Sequence, residues 1–213
     1  MKLGNLEIEW LGHASFRIQA QGQVIYIDPF KITGTPKDAT FVFITHPHYD
    51  HCSLEDLQKV VKEGTFVIMQ ADCQSKIARL PTKIKMLIAS IGNKREVENV
   101  KYEAWPAYNT NKEFHPKFQQ WLGYVIEIGG KRIYHSGDTD FIPEMAQLKS
   151  IDLALLPVSG TYVMTPEEAV QAAEKFKPKL AVPMHYGSIV GKDEDADKFI
   201  QLCLSKGIEA GKL

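Results

Sequence analysis

An apolar run, Phe41-Val42-Phe43-Ile44-Thr45, passes without a break into His46-Pro47-His48-Tyr49-Asp50-His51. β-Branched and aromatic residues in one short continuous stretch read as a buried strand, which needs sheet neighbours and a covering layer. Three of the seven histidines lie within the six residues that follow, with an aspartate among them. Rings crowded into one turn serve no packing purpose, because each needs hydrogen-bond partners once buried. Imidazole and carboxylate together are instead donors suited to zinc and to neighbours such as manganese and iron. The segment reads as a metal site rather than a solvated histidine-rich loop.

Strand patterns dominate the first part of the chain, at 6–10, 15–20, 24–28 and 41–45, with Gly22 as a hairpin turn. Ser53 is placed to cap a helix over 54–62, with Asp56 in the capping-box position. A strand at 66–69, a helix near 71–79 and a strand at 84–87 follow. After Asn93 strands return at 100–105, 123–128 and 132–135, the last two joined by Gly129-Gly130. A short helix near Pro143 and a strand at 153–157 come next. Thr165, Pro166 and Glu168 then give a strong start signal for a helix over 166–176. A strand at 180–183 and a helix at 194–205 complete the chain. Strands followed by helices in each half predict an α+β fold: two facing sheets with helices outside, one domain over 1–213 made of two similar halves.

His46 and His48, two apart at a strand end, share a face in extended backbone and can chelate one ion. Asp50 and His51 are adjacent, are expected to point apart, and suit a second ion. Two metals about 3.5–4 Å apart can clamp one hydroxide between them. One turn cannot close two coordination shells, so further ligands must come from elsewhere. Asp138, in His135-Ser136-Gly137-Asp138-Thr139, and His185, in Pro183-Met184-His185-Tyr186-Gly187, each follow a strand. Asp138 also reads as an ordinary turn aspartate and His185 as a satisfied buried histidine.

The order HxHxDH (His46, His48, Asp50, His51), then GDT (Gly137 to Thr139), then PMHYG around His185 resembles the metallo-β-lactamase superfamily over essentially the whole chain. Trp10-Leu11-Gly12-His13-Ala14-Ser15 and Asp28-Pro29 look like the branch that holds ascorbate-6-phosphate lactonase and N-acyl-phosphatidylethanolamine phospholipase D. The resemblance implies a four-layer αββα sandwich. It also implies His46 and His48 on a first metal, Asp50, His51 and His185 on a second, and Asp138 bridging. Asp28 resembles a structural aspartate that holds the metal histidines. The superfamily's third histidine for the first metal falls at Asn109 here, and the one histidine of that interval is His115, which is favoured as the replacement. His13 and His135 lie beside the motifs, with a ligand-supporting or substrate role as open as a bland one. The resemblance further implies a metal-bridged hydroxide that cleaves a phosphodiester or lactone, with Asp50 orienting it and returning a proton.

Composition narrows the rest. With 25 basic and 26 acidic residues the net charge is −1, so general nucleic-acid or membrane-surface binding has no electrostatic basis. A small-molecule substrate is expected, and lysines near loop ends (Lys112, Lys117, Lys192) would favour an anionic one. No run of 18 apolar residues and no signal-peptide pattern occurs, and three scattered cysteines fit a reducing, cytoplasmic setting. Two divalent ions are expected, zinc first and manganese or iron after it; homo-oligomerisation is left open. The competing classes are a di-iron oxidoreductase on the same fold and a non-catalytic metal-binding module.

Overall fold

A computed structural model describes residues 1–213, which divide into two compact units, Met1–Ser90 with the terminal Leu213, and Ile91–Lys212. The first unit holds strands β1 (Lys2–Leu3), β2 (Leu6–Gly12), β3 (Ser15–Ala20), β4 (Gln23–Ile27) and β5 (Ala39–Ile44). Helix α1 (Leu54–Val60), β6 (Val61–Met69), α2 (Gln74–Ile77) and β7 (Lys85–Ile88) follow. They form one seven-stranded sheet in sequence order, antiparallel from β1 to β4 and parallel from β4 to β7.

That change of direction shows in the side chains. Along β2, buried Leu6 and Ile8 alternate with exposed Glu7 and Glu9, whereas Phe41 to Ile44 of β5 are buried at every position. Val42, Ile44, Leu57, Val60, Val67, Met69 and Ile77 make one core beneath α1 and α2.

The second unit repeats the plan with β8 (Lys94–Val97), β9 (Val100–Pro106), β10 (Leu122–Ile128), β11 (Lys131–His135), β12 (Leu153–Pro157), α3 (Pro166–Phe176), β13 (Leu180–Met184) and α4 (Asp193–Ser205). Its six-stranded sheet is antiparallel from β8 to β11 and parallel from β11 to β13. Gly129 and Gly130, both at positive φ, close the β10–β11 hairpin. Thr165 and Glu168 form the expected reciprocal cap of α3, which buries Ala169, Val170, Ala173 and Phe176.

Three local expectations need correcting. Helix α1 stops at Val60, because the β-branched Val61 turns extended and pairs with Ala39. Asp56 does not cap its own helix. Its carboxylate accepts the backbone N–H groups of Lys31 and Ile32, each at 2.9 Å, and so ties an upstream loop to α1. Strands β1 and β8 were not expected. Both are short edge strands, and β8 (Lys94-Arg95-Glu96-Val97) is charged and mostly exposed, with no apolar alternation to betray it. No helix is long and apolar enough to cross a membrane.

Candidate metal-ligating clusters

In the first unit, parallel pairing of β4 with β5 brings their C-terminal ends side by side, where ligands gather in sheets of this kind. Asp28 leaves β4 there at φ +44, and Thr45 and His46 leave β5. The Asp28 carboxylate, fully buried, accepts the Thr45 N–H at 2.9 Å, the Thr45 hydroxyl at 2.6 Å and His51 Nδ1 at 2.8 Å. These contacts assign protons. A carboxylate only accepts, so His51 carries its hydrogen on Nδ1. The Thr45 hydrogen is spent on Asp28, so its oxygen accepts from His46 Nδ1 at 2.9 Å. In both rings Nε2 is left as the basic nitrogen, the form in which imidazole binds metals.

His46 Nε2 then faces His48 Nδ1 at 3.0 Å, and the His46 and His51 rings lie 4.1 Å apart. His46 and His48 thus converge as expected. Asp50 and His51 do not point apart. Residues 48–52 form a tight turn, with the N–H groups of His51 and Cys52 both directed at the His48 carbonyl. The turn swings Asp50 Oδ2 to 3.5 Å from His51 Nε2 and 2.9 Å from His13 Nε2. His13, at φ +52, therefore joins the cluster, and His13, Asp50 and His51 offer donor atoms within 4.8 Å of one another.

In the second unit the same edge effect operates. Asp138, Ser159 and His185 follow the C-terminal ends of the parallel strands β11, β12 and β13, and the β9–β10 loop emerges beside them. Asp138 Oδ2 lies 3.0 Å from His185 Nε2 and 3.3 Å from His115 Nε2. His185 turns its Nδ1 to Ser159 Oγ at 3.2 Å. His115 turns its Nδ1 to Asn109 Oδ1 at 3.1 Å and to the Tyr162 carbonyl at 3.2 Å. Both of those are acceptors, so Nδ1 carries the proton and a basic Nε2 confronts a carboxylate oxygen. Two acceptors at that distance need a cation, proton or metal, between them. Nitrogen and oxygen donors of this kind fit zinc and its neighbours.

Between the two candidates for the third histidine position, the ring that meets Asp138 is His115; Asn109 stands behind it. His135 is fully buried on β11 and accepts the Gly137 N–H on its Nδ1 at 3.2 Å, which shapes the turn that carries Asp138. Gly137 is held at φ +65, and a Cβ there would sit 2.5 Å from the Leu122 carbonyl oxygen. Gly137→Ala is accordingly expected to cost about 2–4 kcal/mol in denaturant unfolding, from backbone strain plus the clash.

Lys112 and Lys117 are not the free cations anticipated. Lys112 Nζ donates to Asp140 at 2.6 Å, and Lys117 Nζ to the Tyr108 hydroxyl at 3.1 Å and Glu144 at 3.4 Å. Three residues around the histidines went unnoticed in the sequence: Thr45, Ser159 and Asp140. Only Asp140, two positions after Asp138 and also an acid, carried a local signal.

Residues 7–185 match the family model described as the beta-lactamase superfamily domain, which covers most of the chain. The chain belongs to the beta-lactamase superfamily. Within it, a relative from Thermococcus onnurineus described as a UPF0173 metal-dependent hydrolase is 33% identical over 210 residues, 92% of each protein. A crystal structure from Parabacteroides distasonis, described as a metal-dependent hydrolase, is 31% identical with TM-score 0.83, covering 97% of this chain and 92% of its own. Igni18 of Ignicoccus hospitalis, described as a metallo hydrolase, is 25% identical with TM-score 0.79, covering 98% and 94%. The α+β class with two mixed sheets is therefore the superfamily's own fold, as the motifs implied.

Proposed function

We infer that this chain is a metal-dependent hydrolase that cleaves an ester-type bond, a phosphodiester or a lactone, in a small anionic substrate. Its metal ligands are His46, His48, Asp50 and His51 from the first unit and His115, Asp138 and His185 from the second. The cofactor is two divalent ions, zinc first and manganese or iron after it. The observation that carries the reading is the proton assignment: His46, His51 and His115 each turn Nδ1 to an oxygen acceptor, which leaves Nε2 basic. Membership of a superfamily whose similar members are described as metal-dependent hydrolases supports it.

When bound, the metals supply Lewis acidity and make water acidic enough to ionise near neutral pH. The chain's own residues do the rest. Asp50 orients the attacking water, takes its proton and holds it until the leaving group needs it, and the His13 Nε2–H, donating to Asp50 Oδ2 at 2.9 Å, fixes that carboxylate in place. Support for an anionic substrate comes from a groove of about 690 Å³ in the first unit, which runs beside the Tyr49–Ser53 turn. Lys31, Lys76 and Arg79 line it together with Phe30 and Tyr49, and its two acids, Glu55 and Asp56, are both paired with Lys59 at 2.9 Å. Lys76 Nζ also donates to the Pro47 carbonyl at 2.8 Å, tying the groove to the histidine turn.

The test is elemental mass spectrometry of protein purified without added metal or chelator, paired with a panel of lactones and phosphodiesters. About two zinc or manganese ions per chain with turnover of one ester class is the expected result. Iron with a visible absorption band and no hydrolysis would favour the oxidoreductase reading. Failure to take up any metal on titration would leave the non-catalytic one. Chelator treatment is expected to remove activity and lower Tm by about 5–10 °C, since a ligand at 100 times its Kd stabilises by about 2.7 kcal/mol. An unchanged melt after verified metal removal would contradict tight structural coupling of the site.

A further inference from the structure

Asp140 has no part in the chemistry above, yet it is almost fully buried and collects donors from a single short segment. Its Oδ1 accepts Asn109 Nδ2 at 3.1 Å and Lys112 Nζ at 2.6 Å. Its Oδ2 accepts the Thr110 N–H at 2.7 Å, the Asn111 N–H at 3.3 Å and the Thr110 hydroxyl at 3.4 Å. One carboxylate thus organises residues 109–112, the start of the loop that delivers His115.

An asparagine amide beside an imidazole leaves two questions open in most proteins: which end of the amide faces the ring, and which ring nitrogen holds the proton. Here the charge of Asp140 answers both together with two backbone groups, the His115 N–H and the Tyr162 carbonyl. A carboxylate accepts only, so the Asn109 NH2 faces Asp140, and its second hydrogen goes to the Tyr162 carbonyl at 2.9 Å. Asn109 Oδ1 must then face the other way, where it accepts the His115 backbone N–H at 2.9 Å and His115 Nδ1 at 3.1 Å. With Nδ1 protonated, Nε2 is the nitrogen presented at 3.3 Å to Asp138.

We propose that Asp140 is a positioning residue for metal binding: through Asn109, and beside the Tyr162 carbonyl that lies 3.2 Å from the same Nδ1, it secures the His115 tautomer in which Nε2 is the ligand. The proposal rests on the reading above that His115 is a metal ligand. In this chain an asparagine at the usual histidine position is not a lost ligand; it is the link between a buried charge and the histidine that took the role over.

The experiment compares wild type, Asp140→Asn, Asn109→Ala, the double variant and His115→Ala, all stripped of metal and checked by circular dichroism. Long-range 1H–15N correlation spectra report which nitrogen of His115 is protonated, without any metal or turnover. At a pH high enough that no proton is shared between His115 Nε2 and Asp138, wild type is expected to show Nδ1–H alone. Asp140→Asn, which can donate as well as accept, is expected to show a mixed tautomer, and Asn109→Ala, which keeps only the Tyr162 carbonyl beside Nδ1, likewise. Zinc titration should show both single variants about 10- to 100-fold weaker in affinity. Because the two residues act in series, the double variant should be no weaker than the worse single one.

A merely structural Asp140 would weaken binding additively with Asn109 and leave the tautomer untouched, and that pattern overturns the proposal. If Asp140→Asn does not fold, Asn109→Ala carries the same tautomer test alone. His115→Ala separates the two levels. Wild-type zinc stoichiometry and affinity in that variant would overturn the ligand reading itself. Loss of zinc there, alongside an unchanged tautomer in Asp140→Asn, would overturn only the role of Asp140.

Discussion

Asp138→Ala is expected to reduce hydrolytic activity by at least about 10²–10³-fold, the scale seen when one preorganised charge-stabilising group is deleted from a site. The carboxylate lies between His185 Nε2 at 3.0 Å and His115 Nε2 at 3.3 Å. Its removal takes away a negative donor and leaves two imidazoles with no charge to hold a cation near them. The fold should survive, because the turn that carries Asp138 is built by others. Gly137 supplies its positive φ, and Thr139 Oγ1 both accepts the Tyr108 N–H at 3.1 Å and donates to the Asp140 carbonyl at 2.8 Å. Far-ultraviolet circular dichroism should therefore match wild type while bound metal falls. His48→Ala should act in the same direction, since His48 Nδ1 faces His46 Nε2 at 3.0 Å. Activity within tenfold of wild type, with the full metal complement in both variants, would falsify the assignment.

The second large effect falls on stability. Asp28→Ala is expected to destabilise the metal-free protein by about 3–5 kcal/mol, as when one partner of a buried charged network is removed. For a chain of this size that corresponds to a fall in Tm of roughly 10 °C or more. Asp28 is fully buried and accepts three hydrogen bonds, so its deletion strands the Thr45 N–H, the Thr45 hydroxyl and His51 Nδ1 together. Alanine at φ +44 adds the strain of a left-handed backbone that aspartate tolerates better. Metal affinity should fall as well, because Asp28 sets the tautomer of His51 directly and that of His46 through the Thr45 hydroxyl. Melting the apo protein separates the two consequences. A shift below about 2 °C there would mean that the hydrogen bonds are replaced by water at little cost.

Asp28 and Asp140 thus play matching parts in the two units. Each is a buried carboxylate set behind an imidazole, Asp28 in direct contact with His51 Nδ1 and Asp140 linked to His115 Nδ1 through Asn109. The sequence marks the two very differently. Asp28 stands at a strand end before a proline, a place that reads equally well as a turn. Asp140 follows the GDT motif but is separated by some thirty residues from Asn109 and Lys112, which it holds. Nothing local predicts such a contact.

The legible parts were those governed by short-range rules. Strand β12 and helix α3 fall at the expected residues because an apolar run bounded by polar residues, and a Thr-Pro-x-Glu cap, are encoded within a dozen positions. The histidine motif was legible for the same reason. Charged β8 was not, because an edge strand takes its register from one neighbour and leaves no apolar periodicity behind. Asp56 looked like a cap by spacing, yet the backbone of Lys31 and Ile32 claimed its carboxylate once α1 docked.

The sequence by itself determined the α+β class and the superfamily and named candidate donors, since periodicity, caps and motif spacing are properties of neighbouring positions. Only the tertiary structure decided how those donors are held. Parallel pairing sets strand ends side by side, so residues far apart in the chain share hydrogen bonds that no spacing foretells. The turn at 48–52 brings Asp50 back toward His51 and His13, and the loop after β9 presents His115 to Asp138 with Asn109 behind it. Proton positions on the histidines follow from those contacts, because a tautomer is fixed by whichever acceptor the fold places beside the ring.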